Sequence, residues 1–319
     1  MTTKEKILSS LKPVIDKPEF VTINDNRIAA IAHELLNAPV PAWDNNLQLL
    51  GTPEETAQYY FFLDSVNFCF WAEKGKKRWE YLVDGEWVGG YYAYSRAIKD
   101  AFLRDRRFFD AVYLREISLE DFGAIFKNGR HALLLVQERA EIIRENFGML
   151  GDHFGGQAIN LLKKADYDAD AIVALLCKWF STFEDHSLIE RHRAYFLKRA
   201  QIFCSDISFT GLPELAIKNL DHLTVFADYK LPQILESFGV LSYAPKLNED
   251  IIEERLIRRD SREEVELRAS SIVAIERIRS EMEKLGRKIT TNELDWILWV
   301  KAKETNFLKP HHRTITIFY

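Results

Sequence analysis

Val265-Glu266-Leu267-Arg268-Ala269-Ser270-Ser271-Ile272-Val273-Ala274-Ile275-Glu276-Arg277-Ile278-Arg279-Ser280-Glu281-Met282-Glu283-Lys284-Leu285 is the stretch that sets the fold class. Ile275, Ile278, Met282 and Leu285 recur at three- and four-residue spacing, so they share one face of an α-helix. Gly286 follows them and suits the left-handed turn that closes a helix. Charges of alternating sign run from Asn248 to Arg287, as on solvated helix faces.

The same period extends in both directions. Downstream, Thr290-Thr291-Asn292-Glu293 reads as a capping box for a last helix through Ala302. Upstream, helices are predicted over Glu249–Arg258, Tyr229–Phe238, Leu212–Leu220, Ile189–Phe203, Ala169–Phe180, Gln157–Lys164 and His131–Asn146. Ser118 caps another through Phe126, and Tyr91–Leu103 places Tyr94, Ile98 and Phe102 on one side. Thr52, Pro53 and Glu55 open a helix over Thr52–Ala57, and Asp25 reads as the N-cap of Asn26–Leu36. Pro39 and Pro41 make Ala38–Asp44 a loop. The clearest β signal is Trp79–Val88, where Asp84-Gly85 suits a two-residue hairpin turn. The C-terminal half of His311–Tyr319 alternates like a strand. Connections are short, with no repeat and no low-complexity linker. The expected fold is therefore mainly α: one compact helical domain over residues 1–319 with one small β-hairpin.

Composition narrows the function classes. The chain has 319 residues, a net charge of -5 and 13% aromatics. An acidic balance argues against a polymeric nucleic-acid partner, while a small phosphorylated ligand needs only a few local cations. Cys69, Cys177 and Cys204 show no CxxC spacing, so reduced cytosolic thiols are expected. Met1–Lys12 is polar, and no stretch approaches the roughly 20 apolar residues of a membrane span. A cytoplasmic protein without a membrane partner is expected.

Familiar catalytic motifs are missing. There is no HExxH and the histidines are scattered, so no metal is expected. Gly151-Asp152-His153-Phe154-Gly155-Gly156 lacks Rossmann and Walker spacing and reads as a plain loop, or as a helix N-terminus open to an anion. No cofactor is expected. No serine sits in GxSxG.

Three dense segments remain. Tyr59–Trp71 embeds Asp64, Ser65 and Asn67 in an apolar run, so these groups need backbone or ligand partners. In Phe226-Ala227-Asp228-Tyr229-Lys230-Leu231-Pro232-Gln233, spacing alone favours Asp228 as a helix N-cap over a half-buried reactive carboxylate. In Tyr195–Gln201, helical spacing groups Arg191, Tyr195, Lys198 and Ile202 on a mixed face, where a solvated lysine is the plain reading.

These segments, with Leu294-Asp295-Trp296-Ile297-Leu298-Trp299 and His311–Tyr319, resemble the queuosine salvage protein family, the queuosine 5′-phosphate N-glycosylases/hydrolases. The resemblance spans nearly the whole chain. It implies release of queuine, a 7-deazaguanine base, from queuosine 5′-monophosphate, on a helical fold similar to helix-hairpin-helix DNA glycosylases. It implies Asp228 as the catalytic carboxylate, Lys198 as a ligand-facing cation, and Asp64, Asn67 and Asp295 as pocket residues. The family pattern has a histidine shortly before the first motif. Asn46-Leu47-Gln48 offers none, so either Gln48 replaces it or the site differs there.

On that footing Asp228 stabilises an oxocarbenium-like state and orients water. Phe68, Tyr229 and Trp296 are positioned to stack a ring. Lys198 and Arg313 suit a 5′-phosphate. The partner expected is a small nucleotide. A glycosylase acting on another modified or damaged purine, and a non-catalytic helical interaction module, are the alternatives. The module requires Asp64, Asn67 and Asp228 to diverge.

Overall fold

The computed structural model of the chain describes residues 1–42 and 46–319 and is mainly helical. Trp43 and Asp44, the end of the loop expected over Ala38–Asp44, lie outside the described residues. In chain order the elements are α1 (Thr3–Ile15), β1 (Val21–Ile23), α2 (Asp25–Leu35), α3 (Pro53–Ser65), β2 (Glu80–Val83), β3 (Glu86–Gly89) and α4 (Tyr91–Arg104). Then come α5 (Ala111–Arg115), α6 (Leu119–Ala124), α7 (Val136–Phe154), α8 (Ala158–Lys164), α9 (Ala169–Trp179), β4 (His186–Ile189) and β5 (His192–Tyr195). The chain continues through α10 (Lys198–Phe209), α11 (Lys230–Ser237), β6 (Leu241–Tyr243), α12 (Pro245–Ile252), α13 (Arg262–Lys284) and α14 (Thr291–Glu304).

Local chemistry sets most helix starts. Thr52 and Thr290 each accept from the backbone of a glutamate three residues on, and that glutamate accepts from the threonine backbone in return. α2 is capped by Asn24 rather than Asp25, because Asn24 accepts from the Asn26 N–H and Asp25 is already helical. The Asp84-Gly85 hairpin forms as expected, with Val83 opposite Glu86.

Several expectations fail for identifiable reasons. Ile189–Phe203 is not one helix. β4 and β5 pair across a turn in which Glu190 and Arg191 take φ of 47° and 71°, and α10 starts only after Leu197 at φ 52°. Neither Glu190 nor Arg191 is a usual left-handed residue, so the turn leaves no sequence signature. α7 starts at Val136, after Leu135 at φ 57°, and runs on to Phe154, so Gly151–Phe154 is helix rather than loop; Gly155 at φ 61° closes it. Leu212–Leu220 makes short 3-10 turns instead of a helix. The helix expected over Glu249–Arg258 lies earlier, as α12. The C-terminal segment forms no strand. It keeps an alternating burial pattern and a single bridge between Leu256 and Arg313. Two further strand pairs exist, β4–β5 and β1–β6, where the antiparallel partners Val21 and Tyr243 meet from opposite ends of the chain.

α3 is buried on every side from Thr56 to Ser65. Phe61 meets Phe147, Phe180 and Phe203 edge to face. α10 packs on α3, while α13 packs on α2, β1, α11 and α14. No helix among the described residues is long and apolar enough to cross a membrane.

Candidate active site

A cavity of about 470 Å³ opens where α10, α11 and α14 meet the segment after α3 and the C-terminal segment. Its size suits a mononucleotide-scale ligand. Two helices present whole faces to it. Lys198, Ile202, Ser205, Asp206 and Phe209 lie at helical spacing on α10; Asn292, Asp295, Trp296, Trp299 and Lys303 do so on α14.

The segment after α3 is held by buried arginines. Arg139 donates to the carbonyls of Val66, Phe68 and Cys69, and Arg199 to those of Ser65 and Thr182. The bonds to Ser65 and Val66 satisfy carbonyls that the end of α3 leaves unpaired and place cations at its negative pole. Both guanidinium groups also lie over the Phe68 ring, at 4.2 and 5.3 Å. Asn67 is thereby fixed so that its carbonyl and Oδ1 accept from Lys198 Nζ at 2.8 and 3.2 Å.

One guanidinium positions both halves of the charged floor. Arg268 of α13 forms a two-pronged bond to Asp185 at 2.9 and 2.6 Å and donates to the Ala227 carbonyl at 3.1 Å. Asp185 in turn accepts the backbone N–H groups of Phe196, Leu197 and Lys198, so it sets the start of α10. Ala227 immediately precedes Asp228. Lys198 and Asp228 are thus referenced to the same side chain.

Asp228 caps α11 and lines the cavity at once. Its Oδ1 accepts from the Lys230 and Leu231 N–H groups at 2.7 and 3.1 Å, while Oδ2 accepts no hydrogen bond among the described residues. Burial raises its pKa, opposed by Lys198 and by those two N–H groups. Lys198 is buried, which lowers its pKa to about 8 against the pull of Asp228 first and Asp64 second. The plain reading of Lys198 as a solvated lysine is therefore corrected, and the Arg191–Tyr195–Lys198 face dissolves because the first two lie in the hairpin.

The remaining acids differ. Asp295 accepts from the Phe226 N–H at 3.0 Å, and burial holds its carboxyl well above the usual range. Asp64 is fully buried and is not part of the cavity wall. Its Oδ1 accepts from Asn67 Nδ2 at 3.2 Å, and its Oδ2 has no partner. Burial, then Asp206, pushes it well above the usual range.

Aromatic rings form the walls. Trp296 and Trp299 stack at 5.3 Å and 13°, and Trp296 donates to the Pro41 carbonyl. Tyr229 lies 4.5 Å from the His311 ring. Phe68, Phe70 and Trp71 line the cavity elsewhere. Arg313 also lines it, bonded to Glu254 through Nη2, with Nε and Nη1 buried and without partners. Gln48 is buried and is not among the residues of the wall.

Of the residues singled out from sequence, Asn67, Phe68, Lys198, Asp228, Tyr229, Asp295, Trp296 and Arg313 share the cavity, and Asp64 supports it through Asn67. They converge, contrary to what the interaction module requires. Four wall residues went unremarked. Asp206 accepts from the Tyr91 O–H at 2.8 Å. Arg78, Lys230 and Lys303 bring like charges to one side of the wall: burial lowers Lys303 to a pKa of about 7, helped by Arg78 and Lys230. The usable signal is Asp206 eight residues after Lys198, on one face once the helix is carried past Phe203 to Phe209.

Sequence comparison supplies the family. The model of the family described as queuosine salvage protein matches residues 47–319. A queuosine 5′-phosphate N-glycosylase/hydrolase of Sphaerobacter thermophilus is 35% identical over 318 residues, covering 98% of this chain and 97% of the relative. Enzymes of the same name from Dictyostelium discoideum (34% over 269 residues, 83% of this chain and 79% of the relative) and Mus musculus (31% over 308 residues, 90% and 91%) also match. The chain belongs to the queuosine salvage protein family.

Proposed function

We propose that the protein is a hydrolase that cleaves the N-glycosidic bond of queuosine 5′-monophosphate and releases queuine for salvage into tRNA modification. The observation that carries the proposal is Asp228. Its Oδ1 is occupied by two backbone N–H groups, its Oδ2 is available, and Lys198 supplies its countercharge, all within a cavity walled by indoles.

In this reading the C1′–N9 bond breaks with its electron pair passing to the base, and positive charge develops on the sugar. The Asp228 carboxylate stabilises that charge and takes the proton of the water that adds to C1′. Lys198 keeps Asp228 ionised. The stacked pair Trp296–Trp299, with Tyr229, gives a flat base its faces. Asp295 meets the polar edge of the base. For the 5′-phosphate, Arg78 and Lys303 are favoured over Lys198, because Lys198 is already bonded to Asn67, whereas Lys303 feels the like charges of Arg78 and Lys230, which an anion relieves; Lys230, bonded to Gln233, adds to the positive field. Arg313, with two unpaired donors, is a further phosphate candidate.

Residues 1–319 act as one catalytic domain, in support of which a contiguous hydrophobic cluster runs from Ile7 to Ala302. The likeness to helix-hairpin-helix glycosylases belongs to the proposal, as does a cytoplasmic setting; three free thiols fit the latter. The test is incubation with queuosine 5′-monophosphate, with detection of free queuine and ribose 5-phosphate. Absence of both products refutes the reading.

A further inference from the structure

We propose that Asp206, paired with Tyr91, is the proton donor to the departing base, an assignment that rests on the hydrolase reading above. Asp206 lies eight residues beyond Lys198 on α10 and so shares the face that lines the cavity. It is 4% exposed. Its Oδ2 accepts the Tyr91 hydroxyl at 2.8 Å, and its Oδ1 accepts no hydrogen bond among the described residues, which leaves that oxygen for a ligand.

The surroundings favour a neutral carboxyl. Tyr59 and Asp64 face Asp206 from α3, Tyr91 from α4, Asp295 from α14 and Lys198 from its own helix. Lys198 is the one cation of this set, and its largest attraction is to Asp228. Burial accordingly carries Asp206 to a pKa of about 7, with Tyr91 and Lys198 opposing. A good part of the protein therefore holds a proton there at neutral pH, matched to acid catalysis near that pH.

A 7-deazapurine makes such a donor useful, because its five-membered ring has no N7 to protonate. The proton must go to the six-membered ring, at N3 or O6. As the C1′–N9 pair moves onto the base, the Asp206 O–H bond breaks and a new N–H or O–H bond forms on the base. The resulting carboxylate keeps the Tyr91 hydrogen bond. Water adds to C1′ and gives its proton to Asp228; exchange with solvent then returns both acids to their starting forms. Nucleotide and water become free base and ribose 5-phosphate, with atoms and charge balanced.

The test compares two substrates. Queuosine 5′-monophosphate needs its base protonated; 4-nitrophenyl ribofuranoside 5-phosphate has a leaving group that departs as the anion. Asp206→Asn is expected to lower kcat about 100- to 1,000-fold on the first and less than about tenfold on the second. Asp228→Asn is expected to cripple both. Equal loss on both substrates, or loss on neither, by Asp206→Asn overturns the assignment. Tyr91→Phe supplies a second readout and keeps the ring contacts with Phe70 and Trp299. It removes the hydroxyl that favours the carboxylate, so the alkaline limb of kcat/KM moves to higher pH. The separate limb from Lys198, near 8, stays in place. An unmoved limb overturns the pairing. A wild-type protein that cleaves neither compound overturns the hydrolase reading itself.

Discussion

Replacing Asp228 by asparagine separates the two roles that the structure gives this residue. As a cap, Asp228 uses only Oδ1, which accepts the N–H groups of Lys230 and Leu231. Asparagine retains that oxygen and ranks with aspartate at such positions, so folding stability should change by less than about 0.5 kcal/mol. Asp228→Ala loses the acceptor as well and should cost about 1 kcal/mol. The charge is a separate matter. At a contact distance of about 4 Å and an effective dielectric constant of about 20, suited to a cavity open to solvent, a full unit of sugar charge gains about 4 kcal/mol from the carboxylate. At about 1.36 kcal/mol per decade, kcat should fall up to about 10³-fold in Asp228→Asn. The assay is base release from queuosine 5′-monophosphate by chromatography, alongside urea denaturation of the same preparations. Asp228→Asn that is as stable as wild type and turns over within tenfold of it refutes the catalytic role. Loss of activity matched by loss of stability leaves only the cap.

Arg268→Met should destabilise the protein by about 3–5 kcal/mol in urea titration, because it strands the Asp185 carboxylate in a site where both side chains are 2% exposed. Arg268→Lys should not restore it, since an ammonium cannot reproduce the two-pronged bond. Arg78→Ala or Lys303→Ala should raise KM for the 5′-monophosphate about 10- to 100-fold, the loss of one charge-assisted bond of about 1.5–3 kcal/mol, and leave KM for the bare nucleoside unchanged. Burial lowers His311 to a pKa of about 4 and His312 to about 3, so the unfolded chain binds more protons than the native one below its own value. The stability these two histidines contribute is thus fully present above about pH 6.5 and is lost as pH falls through about 4 for His311 and about 3 for His312; His312→Gln should flatten part of that slope in thermal melts taken across the range.

What the sequence could disclose depended on how local the cause was. The boxes at Thr52–Glu55 and Thr290–Glu293 and the Asp84-Gly85 turn involve neighbours in the chain, and each sits where its spacing puts it. The β1–β6 pair joins three-residue strands from distant parts of the chain, too short for any alternation to register. Arg268 reads as one charge among many on a solvated helix; only the packed structure shows it buried between Asp185 and Ala227. The expected helix ends at Phe203, whereas α10 runs on to Phe209, and only that extra stretch carries Asp206 onto the Lys198 face. Asp228 was ambiguous for a physical reason: capping and catalysis ask for the same residue type at the same place, and here one oxygen serves the cap while the other remains available.

The charge count around Lys198 explains how one acid among several becomes the anion. Asp64, Asp206, Asp228 and Asp295 all act on this one lysine, while Arg199, next in sequence, spends its donors on the Ser65 and Thr182 carbonyls. Ionising every carboxyl would leave an excess of negative charge in a buried floor, which desolvation forbids. The choice falls to hydrogen bonds that favour the charged form. Asp228 accepts two backbone N–H groups and has the strongest coupling to Lys198; Asp295 accepts one, Asp206 accepts a hydroxyl, and Asp64 accepts only an amide with its second oxygen unpartnered. Asp228 is therefore the acid best held as a carboxylate, while burial pushes Asp64 and Asp295 well above the usual carboxylate range. A floor that favours one carboxylate beside Lys198 and raises the acids around it meets two demands of glycoside cleavage together, since it offers negative charge to the sugar and a proton to the base.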